Sequence, residues 1–331
     1  MSKNILVTGG SGRVGNYVTT YLKDNGYNVA NFDYLPPKPD SLAAKAGIPF
    51  ILGNLTNLGD CMRAISFAQA DAVVHLAAIP FNTDLVPPFA GNWSKLTDGA
   101  RFVQRLPWAQ HEWDTMEINT MGSFFIVDAM RRLGVKQLIA ASSYFVLGIG
   151  FRLSGTSFQP SYLPMDEDHP LLPEDTYSLS KVLGEEIYKS FGRAYGLNTV
   201  AMRFMGVFVP PVEGQPDPRK EWPVKVPAAD DENKGYLISD TFQYIDARDI
   251  AIFVKLSLES KKLGQFEPFY VVSDTKYDEP TKDIVARRWP FLAEKAKDIP
   301  GTEGIISGKR AEKILGFKSE YTWRKGLKTT F

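Results

Sequence analysis

Asn4-Ile-Leu-Val-Thr-Gly-Gly-Ser-Gly-Arg-Val-Gly15 is the stretch that decides the fold. Its first five residues form a short β-branched run that reads as a buried strand, and the run enters a glycine turn with no spacer. Val14, Val18, Tyr21 and Leu22 then recur at helical spacing, and Gly26 is a natural stop. The glycines therefore lie at a strand-to-helix turn. There, bare backbone lets a pyrophosphate reach the free amides and positive dipole end of the helix. Two registers fit, GxGxxG through Gly10, Gly12 and Gly15 and GxxGxxG through Gly9, Gly12 and Gly15, with Arg13 and Val14 opening the helix. The next strand, Tyr27 to Asp33, ends in an acid about 20 residues on, as a dinucleotide site requires. A carboxylate there accepts from the adenosine ribose hydroxyls and repels a 2′-phosphate, which favours NAD over NADP.

Working outward, Ile48 to Leu52 reads as a third strand followed by Gly53, Asn54 and Leu55, a polar–leucine pair placed to bracket an adenine ring. Asp71 to Ala78 is the fourth strand, and Leu76, Ala77 and Ala78 at its end leave room for the cofactor. His75 inside this apolar strand is read as a core histidine. The β-α-β-α-β alternation predicts an α/β fold with a doubly wound parallel sheet. Gln137 to Ser143 is a fifth strand that delivers two hydroxyls at its C-terminal end, where ligands of open α/β sheets bind.

In Asp175-Thr-Tyr-Ser-Leu-Ser-Lys-Val-Leu-Gly-Glu-Glu186, the four-residue spacing puts Tyr177 and Lys181 on one helix face. A free phenol titrates near ~10 and is a poor base at neutral pH. A lysine charge roughly 4 Å away favours the phenolate by up to about 4 kcal/mol at an effective dielectric of roughly 20. The expectation is a tyrosine pKa lowered toward the range useful for acid–base work.

The chain has 331 residues, 44% of them hydrophobic and 23% charged, with net charge +0. That length suits one large α/β unit or two modest domains, and the charge balance argues against nucleic acid or a membrane surface as partner. A single cysteine, Cys61, excludes an internal disulfide and fits a reducing compartment. A strand beginning at Asn4 leaves no signal peptide to expect, and no apolar run reaches the ~20 residues of a membrane span. A cytoplasmic location and no metal site are expected.

Residues 79–111 break the rhythm with an insertion holding Trp93, Trp108, Arg101 and Arg105, read as a functional lid. Residues 113–133 read as a helix apolar nearly all round, covered by the sheet on one side and by a second subunit on the other. Asn119 is the polar exception, either a packing amide or a holder of water behind the site. Residues 209–236 read as loop, and Arg219, Arg287, Arg288 and Arg310 as solvated charges in preference to contacts with an acidic substrate.

Together these motifs resemble extended short-chain dehydrogenases/reductases, the NAD-dependent epimerase/dehydratase group. The likeness is carried by the Thr8–Gly15 turn, Asp33, His75 to Ala78, Asn119, Ser142-Ser143 with Gly148, and Tyr177 with Lys181. It continues through Arg203, Tyr244 to Asp249, and Lys309 to Phe317. It implies a Rossmann-like domain from 1–205 plus 240–260 and a discontinuous substrate domain from 206–239 plus 261–331. It further implies Tyr177 as acid/base, Lys181 on the nicotinamide ribose, Ser143 on the reacting oxygen and Asn119 in proton relay. It also implies a homodimer formed by helices 113–133 and 177–195.

The departures from the family pattern bear on the substrate. Tyr144 and Phe145 replace the acidic pair of dehydratases, Phe242 stands where sugar-nucleotide enzymes carry an arginine, and Gly206 replaces an asparagine. The late Arg-x-Gly-Asp is missing from Lys297 to Gly301. Loss of these forks removes a diphosphate clamp. Ser142 to Arg152 is somewhat similar to uronate dehydrogenases. The first expectation is thus an NAD-dependent dehydrogenase or reductase of a small sugar-like alcohol, its pocket formed by Ser143, Tyr144, Arg203, Trp93 and Phe242. The alternative is a nucleotide-sugar 4-epimerase. A non-catalytic NAD sensor is disfavoured because both Tyr177 and Lys181 are kept.

Overall fold

The structure is a computed structural model that describes residues 2–80, 113–149, 154, 156–211, 217, 219 and 241–325. Seven strands form one parallel sheet: β1 (Asn4–Thr8), β2 (Asn28–Asp33), β3 (Phe50–Leu52), β4 (Ala72–His75), β5 (Gln137–Ser143), β6 (Asn198–Phe204) and β9 (Phe266–Val271). Their order is β3-β2-β1-β4-β5-β6-β9. β7 (Gly206–Phe208) and β8 (Tyr244–Asp246) make a separate parallel pair.

β1 is central because it is apolar on both faces, as parallel strands covered by helices must be. Ile5 and Val7 enter one core layer and Leu6 the other, all three fully buried. Each such side chain contributes about 1.5–3 kcal/mol of burial. The first layer is closed by α1 (Arg13–Asp24) through Val18 and Leu22 and by α6 (Ala247–Glu259) through Ile250 and Val254. The second is closed by α3 (Leu58–Phe67), α4 (Gly122–Leu133) and α5 (Thr176–Tyr195), which supply Ile65, Ile126, Met130 and Tyr188. A four-residue helix α2 (Leu42–Lys45) lies between β2 and β3, and α7 (Thr281–Arg288) and α8 (Lys309–Leu315) follow β9.

Three details differ from the expectations. The 113–133 helix is not uniform: Asp114–Met116 is α-helical, Glu117–Met121 is a π-helical turn and α4 follows. The division placing 261–331 wholly in a substrate domain is corrected by β9, which pairs in register with β6 as the last strand of the main sheet. Its inner residues Phe269, Tyr270 and Val271 are buried there. The 79–111 insertion lies outside the described residues beyond Pro80, and Trp93 and Trp108 with it. Among the described residues no helix is long and apolar enough to cross a membrane, and no His/Cys/Asp/Glu group could hold a metal ion.

Candidate active site

A cavity of about 430 Å³ opens at the C-terminal ends of β1, β4, β5 and β6. Its one end is the glycine turn and its other end holds Ser143, Tyr177 and Lys181. The β1/β4 pair is where the strand order reverses direction, so the sheet itself creates the crevice.

Three glycines of the turn have separate reasons. Gly9 has φ +73, and a Cβ there would lie 2.6 Å from Ala77 N. This close approach lets β4 run beside the turn, with Leu76 N donating to Thr8 O and Ala77 N to Thr8 Oγ1. A Cβ on Gly15 would lie 2.1 Å from Gly9 O, whereas one on Gly12 would meet only Gly9 O at 3.1 Å. Gly12 caps α1 with extended backbone and no side-chain hydrogen bond, and the first turn of α1 carries no acid. An uncapped helix N-terminus lining a cavity is suited to an anion. Arg13 is exposed at the same end. Asp33 is tied to this turn: its Oδ2 accepts from Ser11 N at 3.0 Å and its Oδ1 from Tyr34 N at 2.7 Å. Burial raises its pKa, while these backbone donors pull it back down. The turn, the helix end and the acid at the β2 terminus fit a dinucleotide. Asn54 is exposed just beyond β3, whereas Leu55 is buried in the core against Gly122, away from the cavity.

At the other end, α5 is started by Asp175, whose side chain accepts from Ser178 N at 2.8 Å. Tyr177 is 8% exposed and hydrogen bonds with Ser143, while Lys181 Nζ donates to Ala141 O at 3.2 Å. Lys181 Nζ lies 5.8 Å from the centre of the Tyr177 ring. The structure thus brings together the three residues that the sequence separates by up to 38 positions.

The electrostatics differ from expectation. Burial pushes the Tyr177 phenol up to about 12, against a lowering by the Ser143 hydrogen bond, and it draws Lys181 down to about 8. The expected depression of Tyr177 by Lys181 is therefore not a property of the chain alone: desolvation dominates both groups. His75 is the core residue expected, buried at 2.7 Å from Thr8 Oγ1 and lowered to about 3 by burial and then by Lys181.

Four expected roles are corrected. Asn119 does not line the cavity. Its Oδ1 accepts from Ile79 N at 2.8 Å, and its Nδ2 donates to Ile79 O and Ser180 Oγ, each at 3.0 Å. That amide is a strut between the end of β4 and α5, its protons committed, rather than a relay. Phe242 is fully buried at φ +47, stacked on Trp289 with centroids 5.7 Å apart, so it is core rather than pocket wall. Arg203 is 2% exposed and forks onto Glu185, so it meets no substrate. Arg219, read as solvated, is 1% exposed and held by Asp217, Asp246 and Tyr321 O. Tyr144 does line the cavity and touches Phe145, which meets Tyr177 edge-on at 6.0 Å. The apolar wall that sequence reading missed is Phe204, Met205, Val207 and Val209, from the end of β6 and from β7. Its only signal was the apolar run after Arg203.

Comparison with known proteins identifies the family and supports the fold. The model of the NAD dependent epimerase/dehydratase family matches residues 5–84 and 104–272. A protein of Methanocaldococcus jannaschii named as a putative UDP-glucose 4-epimerase is 27% identical over 336 residues, spanning 98% of this chain and 96% of that protein. A UDP-glucose 4-epimerase of Corynebacterium glutamicum is 23% identical across 96% of this chain and 91% of its own. Among solved structures, a short-chain dehydrogenase/reductase superfamily protein from Agrobacterium tumefaciens with bound NAD superposes with TM-score 0.61 at 22% identity, covering 97% of this chain and 94% of that one. The UDP-glucose 4-epimerase of Thermotoga maritima with UDP-glucose gives 0.62 at 20% identity, covering 99% and 97%. The two solved structures support the fold. The chain belongs to the NAD-dependent epimerase/dehydratase family.

Proposed function

We propose that this member of the family oxidises and reduces a hydroxyl-bearing carbon of a sugar-like substrate with NAD. The carrying observation is that one cavity joins the uncapped glycine turn to Ser143, Tyr177 and Lys181. Gly9, Gly12 and Gly15 with the first turn of α1 hold the pyrophosphate, Asp33 the adenosine ribose, and Lys181 the nicotinamide ribose. Bound NAD supplies a hydride acceptor and a positive ring charge beside the phenol. Ser143 orients the reacting oxygen, and Tyr177, neutral in the chain alone, donates its proton to a carbonyl or, beside that positive charge, takes one from an alcohol.

The finer reading favoured by the relatives is 4-epimerisation of a nucleotide-linked hexose, in which the hydride returns within each turnover. This reverses the order suggested by the missing forks. The second reading, a dehydrogenase of a compact free sugar, is kept on one observation: Arg203 and Arg219 are locked in internal ion pairs, and Phe242 is core. Incubation with NAD and either UDP-hexoses or free sugars and sugar acids separates them. The lead reading expects a 4-epimer of a UDP-hexose and no net NADH band. Stoichiometric NADH from a free sugar, with UDP-hexoses untouched, overturns it.

A further inference from the structure

Three consecutive residues of β5 each hold one residue of α5. Ala141 O accepts from Lys181 Nζ at 3.2 Å, Ser142 Oγ donates to Glu185 Oε1 at 2.7 Å, and the Ser143 hydroxyl hydrogen bonds with Tyr177. The α5 partners are four residues apart and share a face. Tyr177 and Lys181 reach the cavity; Glu185 lies one turn further along, fully buried and outside it.

The Glu185 carboxylate is completed by Arg203, with Nε 3.0 Å from Oε1 and Nη2 2.9 Å from Oε2. Arg203 is the register partner of Ser142 on one side and of Tyr270 on the other. Its Nη1 donates to the Tyr270 hydroxyl at 3.4 Å and to Glu167 O at 3.3 Å, while Tyr270 N donates to Glu167 Oε1 at 2.8 Å. A buried polar row thus crosses β5, β6 and β9 at one level, and α5 hangs from it by a single carboxylate. A buried ion pair is a poor source of stability compared with apolar packing of the same volume. What a bidentate fork adds is direction: it fixes distance and angle where apolar packing leaves a helix free to settle. A site of this kind needs its groups placed within about 0.5 Å.

We propose that the Ser142–Glu185–Arg203 row is a positioning device that sets the height of Lys181 and Tyr177 against β5, and so the grip of Lys181 on the bound dinucleotide. This rests on the reading of Lys181 as a cofactor-holding residue. The test is a cycle of NAD titrations by calorimetry on wild type, Lys181→Met, the paired variant Glu185→Leu with Arg203→Met, and the triple variant, with melting temperatures taken in parallel. Removing both charges together avoids stranding either one. The expected result is a paired variant that melts like wild type yet binds NAD about 10-fold more weakly, the loss of one charge-assisted contact. The triple variant binds no more weakly than Lys181→Met, because residues acting through one another do not add. Unchanged affinity in the paired variant, or losses that multiply in the triple, overturns the proposal alone. Unchanged affinity in Lys181→Met overturns the parent reading and the proposal with it. If the paired variant does not fold, Ser142→Ala removes the middle rung and leaves the ion pair: weaker NAD binding supports the row, and unchanged binding overturns it.

Discussion

Replacing Gly12 by alanine separates what the glycine turn does for the cofactor from what it does for the fold. Gly12 has φ −75 and ψ 175, extended backbone open to any residue. The added methyl meets only Gly9 O at 3.1 Å, so the turn gives by a few tenths of an ångström at most. As a helix cap, alanine is worse than glycine by about 0.5 kcal/mol. Against that, the unfolded chain loses freedom worth about 0.4–1 kcal/mol. The two nearly cancel, and the melting temperature moves by no more than about 2–4 °C. For the ligand the balance is different. Gly12 lines the cavity at the helix end, so the methyl stands where the proposed pyrophosphate site meets the first-turn amides. Losing one charge-assisted hydrogen bond there costs about 1.5–3 kcal/mol, a 10- to 100-fold weakening of NAD. Gly15→Ala is the contrast: its methyl falls 2.1 Å from Gly9 O and 2.6 Å from Gly10 Cα, backbone that cannot move aside, so the fold itself suffers. Calorimetric titration of NAD beside thermal unfolding reads both quantities. A Gly12→Ala protein with wild-type NAD affinity refutes the placement of the pyrophosphate.

Tyr177→Phe should keep NAD affinity and lose about 10²- to 10⁴-fold in turnover, since only an acid/base hydroxyl is removed; near-wild-type turnover contradicts its role. Burial pushes the Asp249 carboxyl up to about 7, so the folded state binds its proton more tightly than the unfolded chain and stability falls as pH rises from the ordinary carboxylate range to neutrality. Asp249→Asn should therefore flatten the pH dependence of melting and gain up to about 4 kcal/mol above pH ~7, provided the amide oxygen still accepts from Glu320 N; a variant that loses more stability at pH ~8 than at pH ~5 refutes this sign. Met121 at the end of the π-helical turn, Phe124 on α4 and Leu179 on α5 are each more than a third exposed. A homodimer through that face should be split by Phe124→Asp with Leu179→Asp, and a wild-type monomer by light scattering rules it out.

The parts of this protein legible in its sequence are those whose physics is local. β1 and β5 were readable to the residue because continuous apolar runs end in glycine or hydroxyl clusters, and α5 was readable to within one residue, as 177–195 against Thr176–Tyr195. The three-residue strands β7 and β8 offered no period to read, although β7 supplies part of the cavity wall. The errors at the site concern charge and burial that spacing along the chain does not show. Arg203 looked like a ligand because Glu185 is its neighbour only after folding, and Arg219 looked solvated because Asp246 lies 27 residues on. Phe242 was read through the arginine that the family resemblance leads one to expect there, but its left-handed backbone turns the ring between Trp289 and Tyr277. The Tyr177 pKa was reasoned from one neighbouring charge, while enclosure of the whole pair is the larger effect.

These commitments sharpen the question of the substrate. A diphosphate buried without a counter-charge is costly by several kcal/mol. Among the described residues lining the cavity, the cations are Arg13 at the glycine turn and Lys181 at the ribose end, and the proposed NAD site uses both ends. Arg203, Arg219 and Arg248 are each tied to buried carboxylates. If the substrate is a nucleotide sugar, its diphosphate needs a counter-charge beyond the two cations of this lining, and Arg101, Arg105, Lys220 and Lys225 are candidates among the cations outside the described residues. Titration of the NAD-loaded protein with UDP should then show binding that weakens steeply with salt and is lost in Arg101→Ala with Arg105→Ala or in Lys220→Ala with Lys225→Ala. UDP binding that survives both pairs of substitutions excludes these four residues as the counter-charge, and UDP binding that does not weaken with salt refutes the charge argument. Absence of UDP binding in the wild type removes the epimerase reading and leaves the free-sugar dehydrogenase.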